Sequence, residues 1–349
     1  MLKIRKLIIF AVNICAVIAI LVSSGCEKSP KPLEERVGPG YISYQGYSFV
    51  KYEGEKEKVD SFLACGTGGR IDRIFGDGTV EHISLSGVDN DLTDILTGEG
   101  ITVISGYSGT MLYSRDGQTF NKCEQFTDSD LVGLTSFKNN YFAAARDGKI
   151  YLSNNGESWQ QCAEISSDGI VSIAATGDYI SAITAKTDIF MSTDGINWEL
   201  ENFNDAYDGY YEKYVFTSIA SFGRSLFILG YLESDPGVPN IMFSDSGGEV
   251  WLFRVLSEIN GQNPREYYPL SINQVIPFDG EMLAICNKGR IATISSCAEC
   301  NLISEVSQRE LHGIALNSGM SKIVVVGDNF AFEVLNGDDF REKDTASGQ

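Results

Sequence analysis

Histidine is nearly absent from this chain: its 349 residues hold two, His82 and His312, and neither has a partner at metal-ligand spacing. The sequence therefore gives no reason to expect a metal or any other cofactor, and no catalytic residue is assigned from it. Proline is scarce, at 8 residues against 36 glycines, which suits many short strands joined by tight turns. No stretch reads as an amphipathic helix. Basic residues are also few, 27 Lys and Arg against 47 Asp and Glu, for a formal net charge of −20. A field of that sign repels nucleic acid and anionic lipid headgroups, so neither is expected as a partner of the main body.

Long apolar runs are missing too, except for Leu7 to Val22, broken only by Asn13. Lys3, Arg5 and Lys6 precede this run, and Ser23, Ser24 and Gly25 lead from it into Cys26, the layout of a targeting segment. The run is short for a membrane span. Its ending resembles the bacterial lipoprotein signal, with Ser23 where that signal usually has Leu. The resemblance implies a signal peptide over 1–25, lipidation of Cys26 and a tether over 26–40, placing the protein on an extracytoplasmic membrane face, at the cell surface or in the periplasm. An uncleaved N-terminal anchor is the other reading and leaves the domain on the same side.

What the chain does have is a repeat. FGDG at Phe75 to Gly78, SRDG at Ser114 to Gly117, SNNG at Ser153 to Gly156 and STDG at Ser192 to Gly195 place Asp77, Asp116, Asn155 and Asp194 at steps of 39 residues. Within the unit Leu131 to Gly169, the segments LVGLTSF, YFAAAR, KIYLSN and SWQQCAEI read as four short strands separated by KNN, DG and NNG turns. Four strands in about forty residues is the size of a propeller blade. The expected fold is all-β, a seven-bladed propeller of four-stranded antiparallel blades over 41–343, with six or eight blades left open by the end units and 344–349 as a disordered tail. The last unit is expected to end in a fourth strand at DFREK, and Tyr41 to Tyr44 can add a strand to either end blade.

The phrase S-x-D-G-x-x-W sits between the third and fourth strands. Asp or Asn can bond the backbone of its own turn, Gly supplies positive φ, and the Ser hydroxyl can close the loop. Trp159, Trp198 and Trp251 all follow this turn, with Phe120 as a substitute, and each is expected to pin the outer strand. SRDGQTF, SNNGESW, STDGINW and SDSGGEVW, the last with Ser244 and Ser246 in the Ser and Asp positions, resemble the Asp-box, or BNR, repeats of bacterial sialidases and of propellers related to the photosystem II assembly factor. The resemblance implies that these boxes mark the fold and lie away from any active site.

Function is then sought in the interruptions. Ser246 falls 52 residues beyond Asp194, and the extra length lies in Asn202 to Tyr214, Leu232 to Asn240 and Ser257 to Pro269. These should share the rim opposite the boxes and offer Tyr207, Asp208, Tyr210, Tyr211, Tyr214, Tyr267 and Tyr268 as contacts. Neutral loop growth explains the same lengths. Arg70, Arg146, Lys149, Lys186, Lys288 and Arg290 gather at inner loops and can either line an axial funnel for an anionic group or serve as solvated turn residues.

Two function classes follow: a scaffold that binds a protein or glycan through the loops of blades four to six, or a glycoside hydrolase of the Asp-box kind. The sialidase resemblance implies an arginine cluster, for which Arg70, Arg146 and Arg290 can be cast, and a Tyr activated by Glu. Tyr211 merely adjoins Glu212, and the family's Arg-Ile-Pro motif is absent. Acids such as Asp205, Asp208, Asp235 and Glu266 are too abundant for a carboxylate pair to be informative. Cys297 and Cys300 form C-A-E-C where the sixth box should be, a candidate disulfide outside the membrane. Cys65 and Cys286 read as core residues, while Cys123 and Cys162 share one repeat position, explained by descent from a common unit.

Overall fold

The computed structural model describes residues 45–98, 100–184, 186–201, 214–244, 251–255, 258–259, 271–294 and 299–340. They form seven sheets in chain order, antiparallel except for one edge strand of the sixth, the blades of a β-propeller, with only short 3-10 turns besides. The blades run from Tyr47 to Ile83, Leu92 to Lys122, Leu131 to Glu164, Ile170 to Glu201, Tyr214 to Val255, Ile272 to Glu305 and Leu311 to Asn336. The targeting run, Cys26, the tether and 341–349 lie outside the described residues.

Blade three shows how a unit folds. Leu131–Phe137, Asn140–Ala145, Lys149–Ser153 and Gln160–Glu164 pair in succession, each antiparallel to the next. Lys138 and Asn139 have φ of 48° and 63°, the left-handed pair that turns a two-residue hairpin with the twist of its strands. The first strand of every blade touches the first strand of the next, and Leu311–Leu316 of blade seven touches Tyr47–Lys56 of blade one, so the ring closes on itself.

The apolar core is divided among the seams. Seven clusters of buried side chains each span two adjacent blades, and the cluster joining Tyr47, Val50 and Phe62 to Ala315, Val324 and Val326 closes the ring. The second strands contribute most: Phe62 to Cys65 and Phe142 to Ala145 are all fully buried. Each buried aliphatic side chain contributes roughly 1.5–3 kcal/mol, but only while the facing blade is present.

The repeated S-x-D-G and S-x-N-G turns, the box turns, are built into these seams. Asp116 Oδ1 accepts the N–H groups of Gln118 and Thr119 at 2.8 and 2.7 Å, while Ser114 Oγ accepts from Gly117 N. Asn155 and Asp194 repeat the pattern, and since Asn155 does so without charge, the turn depends on the acceptor oxygen. These backbone donors hold Asp116 and Asp194 well below the usual carboxylate range, so their contribution is present at neutral pH and is lost only in strong acid.

Each box glycine wedges against the preceding blade. A Cβ on Gly195 would come within 2.3 Å of Phe142 Cζ, and one on Gly156 within 2.7 Å of Ile101 Cδ1. Its carbonyl is gripped from both blades: Gly195 O accepts from Trp198 Nε1 at 3.1 Å and Cys162 Sγ at 3.5 Å, and Gly156 O from Trp159 Nε1 at 3.3 Å and Cys123 Sγ at 3.8 Å. The repeated cysteines are thus weak donors across a seam, with thiol pKa values pushed up by burial to about 12 at Cys123 and about 11 at Cys162. Phe120 has no N–H to give. At that seam the carbonyl of Gly117 accepts instead from Arg73 Nη2 at 2.5 Å, and Arg73 is held by Glu53 and Glu81. The box aromatics pack into the seam with the preceding blade, including Trp251, so they pin blade to blade as well as strand to blade.

Several expectations are corrected. Blade seven has three described strands: of the segment DFREK, Asp339 ends a 3-10 turn and Phe340 is buried in the seam with blade six, while 341–343 lie outside the described residues. Blade six has five, because Glu258–Ile259 pairs in parallel with Glu299–Glu305 along its outer edge. The FGDG turn is a hairpin only: Asp77 accepts from Thr79, and a Cβ on Gly78 would touch nothing. Cys300 carries a free thiol buried in the seam between blades five and six, and its candidate partner Cys297 lies outside the described residues.

The two glycines separate turn chemistry from wedging. Gly78 and Gly195 have φ of 88° and 79°, so both resist substitution. Gly78→Ala is expected to cost about 1–2 kcal/mol from backbone strain alone. Gly195→Ala adds about 1–3 kcal/mol for overpacking Phe142. Equal midpoint shifts in urea unfolding would show that the wedge carries nothing.

Candidate functional site

Strand alternation assigns the loops to two rims. The hairpins between first and second strands share one rim with the boxes; Lys56 Nζ and Lys138 Nζ of blades one and three reach Asp116 O and Thr193 O of the next blades there. The turns between second and third strands and the links between blades share the other, called here the link rim.

The link rim is stitched by a recurring set of contacts. The acid just before a first strand grips the backbone of the preceding blade's turn: Asp91 accepts from Gly68 N at 2.8 Å, Asp130 from Ser108 N at 3.0 Å and Glu310 from Lys288 N at 2.9 Å. Ser108 and Lys288 have φ of 51° and 60°, so each acid fixes a turn in a left-handed conformation. Six of the seven first strands break register after their opening residue, and that of blade five breaks between Phe216 and Ser218. Bulges of this kind re-aim side chains. At Thr93 and Asn273 the bulged side chain donates to the carbonyls of Leu131 and Leu311 in the next blade, at 2.9 and 2.6 Å. The following residues, Asp94 and Gln274, accept from Leu134 N and Ile314 N. The equal spacing of Asp91 and Asp130, 39 residues, was a visible signal for the acids, whereas the bulges left none.

The basic residues expected at this rim are where the sequence put them, and most meet local acids. Arg146 pairs with Asp130 at 3.4 Å, Lys149 with Asp147 at 2.5 Å and Lys186 with Asp168 at 2.6 Å. Arg290 donates to Asn287, and Lys288 is exposed. Arg70 pairs with a buried acid, Asp72, and its guanidinium lies over Phe330 with the carbon 5.0 Å from the ring centre.

The insertions are attached at this rim as expected. The strands that flank 202–213 and 256–270 end and begin there, on adjacent blades, while Glu258–Ile259 within the second segment pairs with Glu299 and Cys300 at the box-rim end of blade six's fourth strand. Leu232 to Asn240 differs from the expected loop: Ser225–Leu232 and Asp235–Ser244 lengthen into a hairpin in which Leu232 pairs with Asp235. Tyr214 opens the first strand of blade five, half-buried against the seam with blade four. Tyr207, Asp208, Tyr210, Tyr211, Tyr267, Tyr268 and Ser246 lie outside the described residues. Among the described residues no group of His, Cys, Asp and Glu is placed to hold a metal ion.

No protein-family model matches this chain, and no curated protein matches it by sequence. Solved structures share its fold. YCF48 bound to a D1 peptide has a TM-score of 0.63 at 13% identity, over 84% of this chain and 94% of that one. YCF48 from Cyanidioschyzon merolae gives 0.61 at 13%, over 86% and 98%. A chain of the mitotic checkpoint complex gives 0.62 at 9%, over 91% and 99%. At these identities the likeness establishes the seven-bladed propeller.

Asp94 supplies a pH test of the rim. Burial pushes its carboxyl up to about 6, against the pull of Leu134 N, Ile95 N and Lys51. A folded pKa above the unfolded one means that the native state is weakened as pH rises between the two values. Asp94→Asn keeps an acceptor for Leu134 and is expected to raise stability by about 1–2 kcal/mol at pH 7.5, with no gain below pH 4. A gain that persists at pH 4 would contradict this assignment of the ionisation.

Proposed function

We propose that this chain is an extracytoplasmic, membrane-tethered binding propeller that captures a protein or glycan partner on the link rim of blades four to six. The observation that carries this reading is positional: the strands that lead into and out of the departures from the 39-residue unit between blades four and six end and begin on the link rim. A rigid ring with stitched turns is a suitable base for contact loops, because few groups must be ordered on binding. Tyrosines suit such contacts, each offering a large apolar body and a polar tip. A bound peptide on a propeller of this fold, as in YCF48 with a D1 peptide, is consistent with a protein partner. The lipoprotein-like N-terminus and the acidic body fit an anchored domain that makes little contact with anionic lipid.

Photo-crosslinkers at Tyr211 and Tyr268 are expected to trap a defined partner that the same group at Glu157, on the box rim, does not. Tyr210→Ala with Tyr267→Ala should lower capture at least ten-fold while leaving thermal unfolding unchanged. Equal trapping from both rims, or turnover in a glycoside screen abolished by one carboxylate change on the link rim, would replace the binding reading. Cys26→Ser should abolish metabolic incorporation of palmitate; retained label would remove the lipid anchor.

A further inference from the structure

The seam between blades seven and one holds a cluster that the capture rim of blades four to six does not use. Asp72, fully buried, pairs across the sheet with His82 of the fourth strand. Its carboxylate accepts from Arg70 Nε at 2.7 Å and contacts His82 Nδ1 at 2.8 Å, and it also takes the hydroxyl of Tyr47. Tyr47 is itself buried, and burial together with the Asp72 contact raises its hydroxyl pKa well above the ordinary value, so it remains a donor. A carboxylate this enclosed is costly unless every oxygen is satisfied, and here three neighbours satisfy it.

The consequence lies on the other side of those neighbours. Arg70 and His82 keep 39% and 50% of their side chains exposed, above a counter-ion that is 0% exposed. In the other ion pairs of the link rim the acid is exposed beside the base, as with Asp130, Asp147 and Asp168 at 28–33%. Arg70 therefore displays its charge outward, into a cavity of about 420 Å³ lined also by Gln45, Thr67, Ser84 and Asp89. One face of its guanidinium lies on Phe330, which leaves the edge for hydrogen bonding. With Nδ1–H donated to Asp72, the Nε2 atom of His82 faces the cavity side and has no partner among the described residues, and it serves as an acceptor when the ring carries one proton.

A guanidinium edge beside a bare imidazole nitrogen matches a carboxylate beside a hydroxyl. We propose that this cavity binds a small hydroxylated carboxylate, with Arg70 taking the carboxylate and His82 Nε2 accepting from the adjacent hydroxyl. Gln45 and Ser84 offer hydrogen bonds to further hydroxyls, which a polyhydroxy acid or a sugar acid supplies and a bare fatty acid does not. Asp89 on the wall opposes the bound charge. The proposal is independent of the capture rim, since it uses blades one and seven and none of the inserted segments.

Titration calorimetry of the full chain in detergent tests it, with gluconate and glucuronate as free acids, methyl glucuronide as the glycan-linked form, and glucose and acetate as controls. Gluconate and glucuronate should bind and compete, while glucose and acetate bind at least ten-fold more weakly. Binding of methyl glucuronide equal to that of glucuronate assigns the site to the end of a glycan, and binding of the free acids alone assigns it to a metabolite. His82→Phe and Arg70→Met should each weaken binding at least ten-fold. Asp89→Asn should tighten it about three-fold through the lost repulsion. Glucose binding as tightly as gluconate, or affinity unchanged in Asp89→Asn and His82→Phe alike, would overturn the proposal.

Discussion

A single blade of this protein cannot bury its own apolar surface. Each sheet has two apolar faces, and each of the seven buried clusters draws side chains from two neighbouring blades. The ring is therefore held by its seams, and the repeated S-x-D/N-G turn is best understood as a seam device. Its Asp or Asn shapes the turn, its glycine permits close approach to the preceding blade, and the glycine carbonyl is held from both sides. The donors differ in chemistry, Trp N–H with Cys S–H at two seams and a buried arginine at a third, yet they meet the same carbonyl. One geometric requirement has been met by three side chains.

The same economy separates the two rims. Box turns commit the glycine-rich rim to holding neighbours together. On the link rim the stitching is done close to the first strands, by acids that grip turns and bulged residues that reach the next blade. The tips of turns and links are left to vary in length without loosening the ring, and blades five and six use that freedom in a long hairpin and a fifth edge strand. At the other end of the ring, the cross-strand pairing of Asp72 with His82 sets two polar edges over a buried charge.

Much of the fold was legible in the sequence because it is periodic: a 39-residue step and four strand-like segments per step determine blade number and strand order. The box was legible because each residue acts within its own turn. Contacts across a seam were not. Nothing in the sequence links Arg73 to Gly117, 44 residues away, although the Phe120 substitution was the clue that a donor was missing. Cys123 and Cys162 were visible as repeat equivalents, but their role depends on a carbonyl in the next unit. Leu232 to Asn240 read as a loop because its prolines and acids suggest turns, and pairing with the preceding strand overrode that local preference. Arg70 was noticed as one basic residue of several; only the register of the third and fourth strands sets it apart.

The seams make the ring one cooperative unit, and native-state hydrogen exchange measures that cooperativity blade by blade. Second-strand amides of Phe62 to Cys65, Phe142 to Ala145 and Val324 to Val326 should exchange with one common opening free energy, equal to that of global unfolding. A graded series, with blade one or blade seven opening several kcal/mol below the rest, would contradict it and make each blade a largely independent unit.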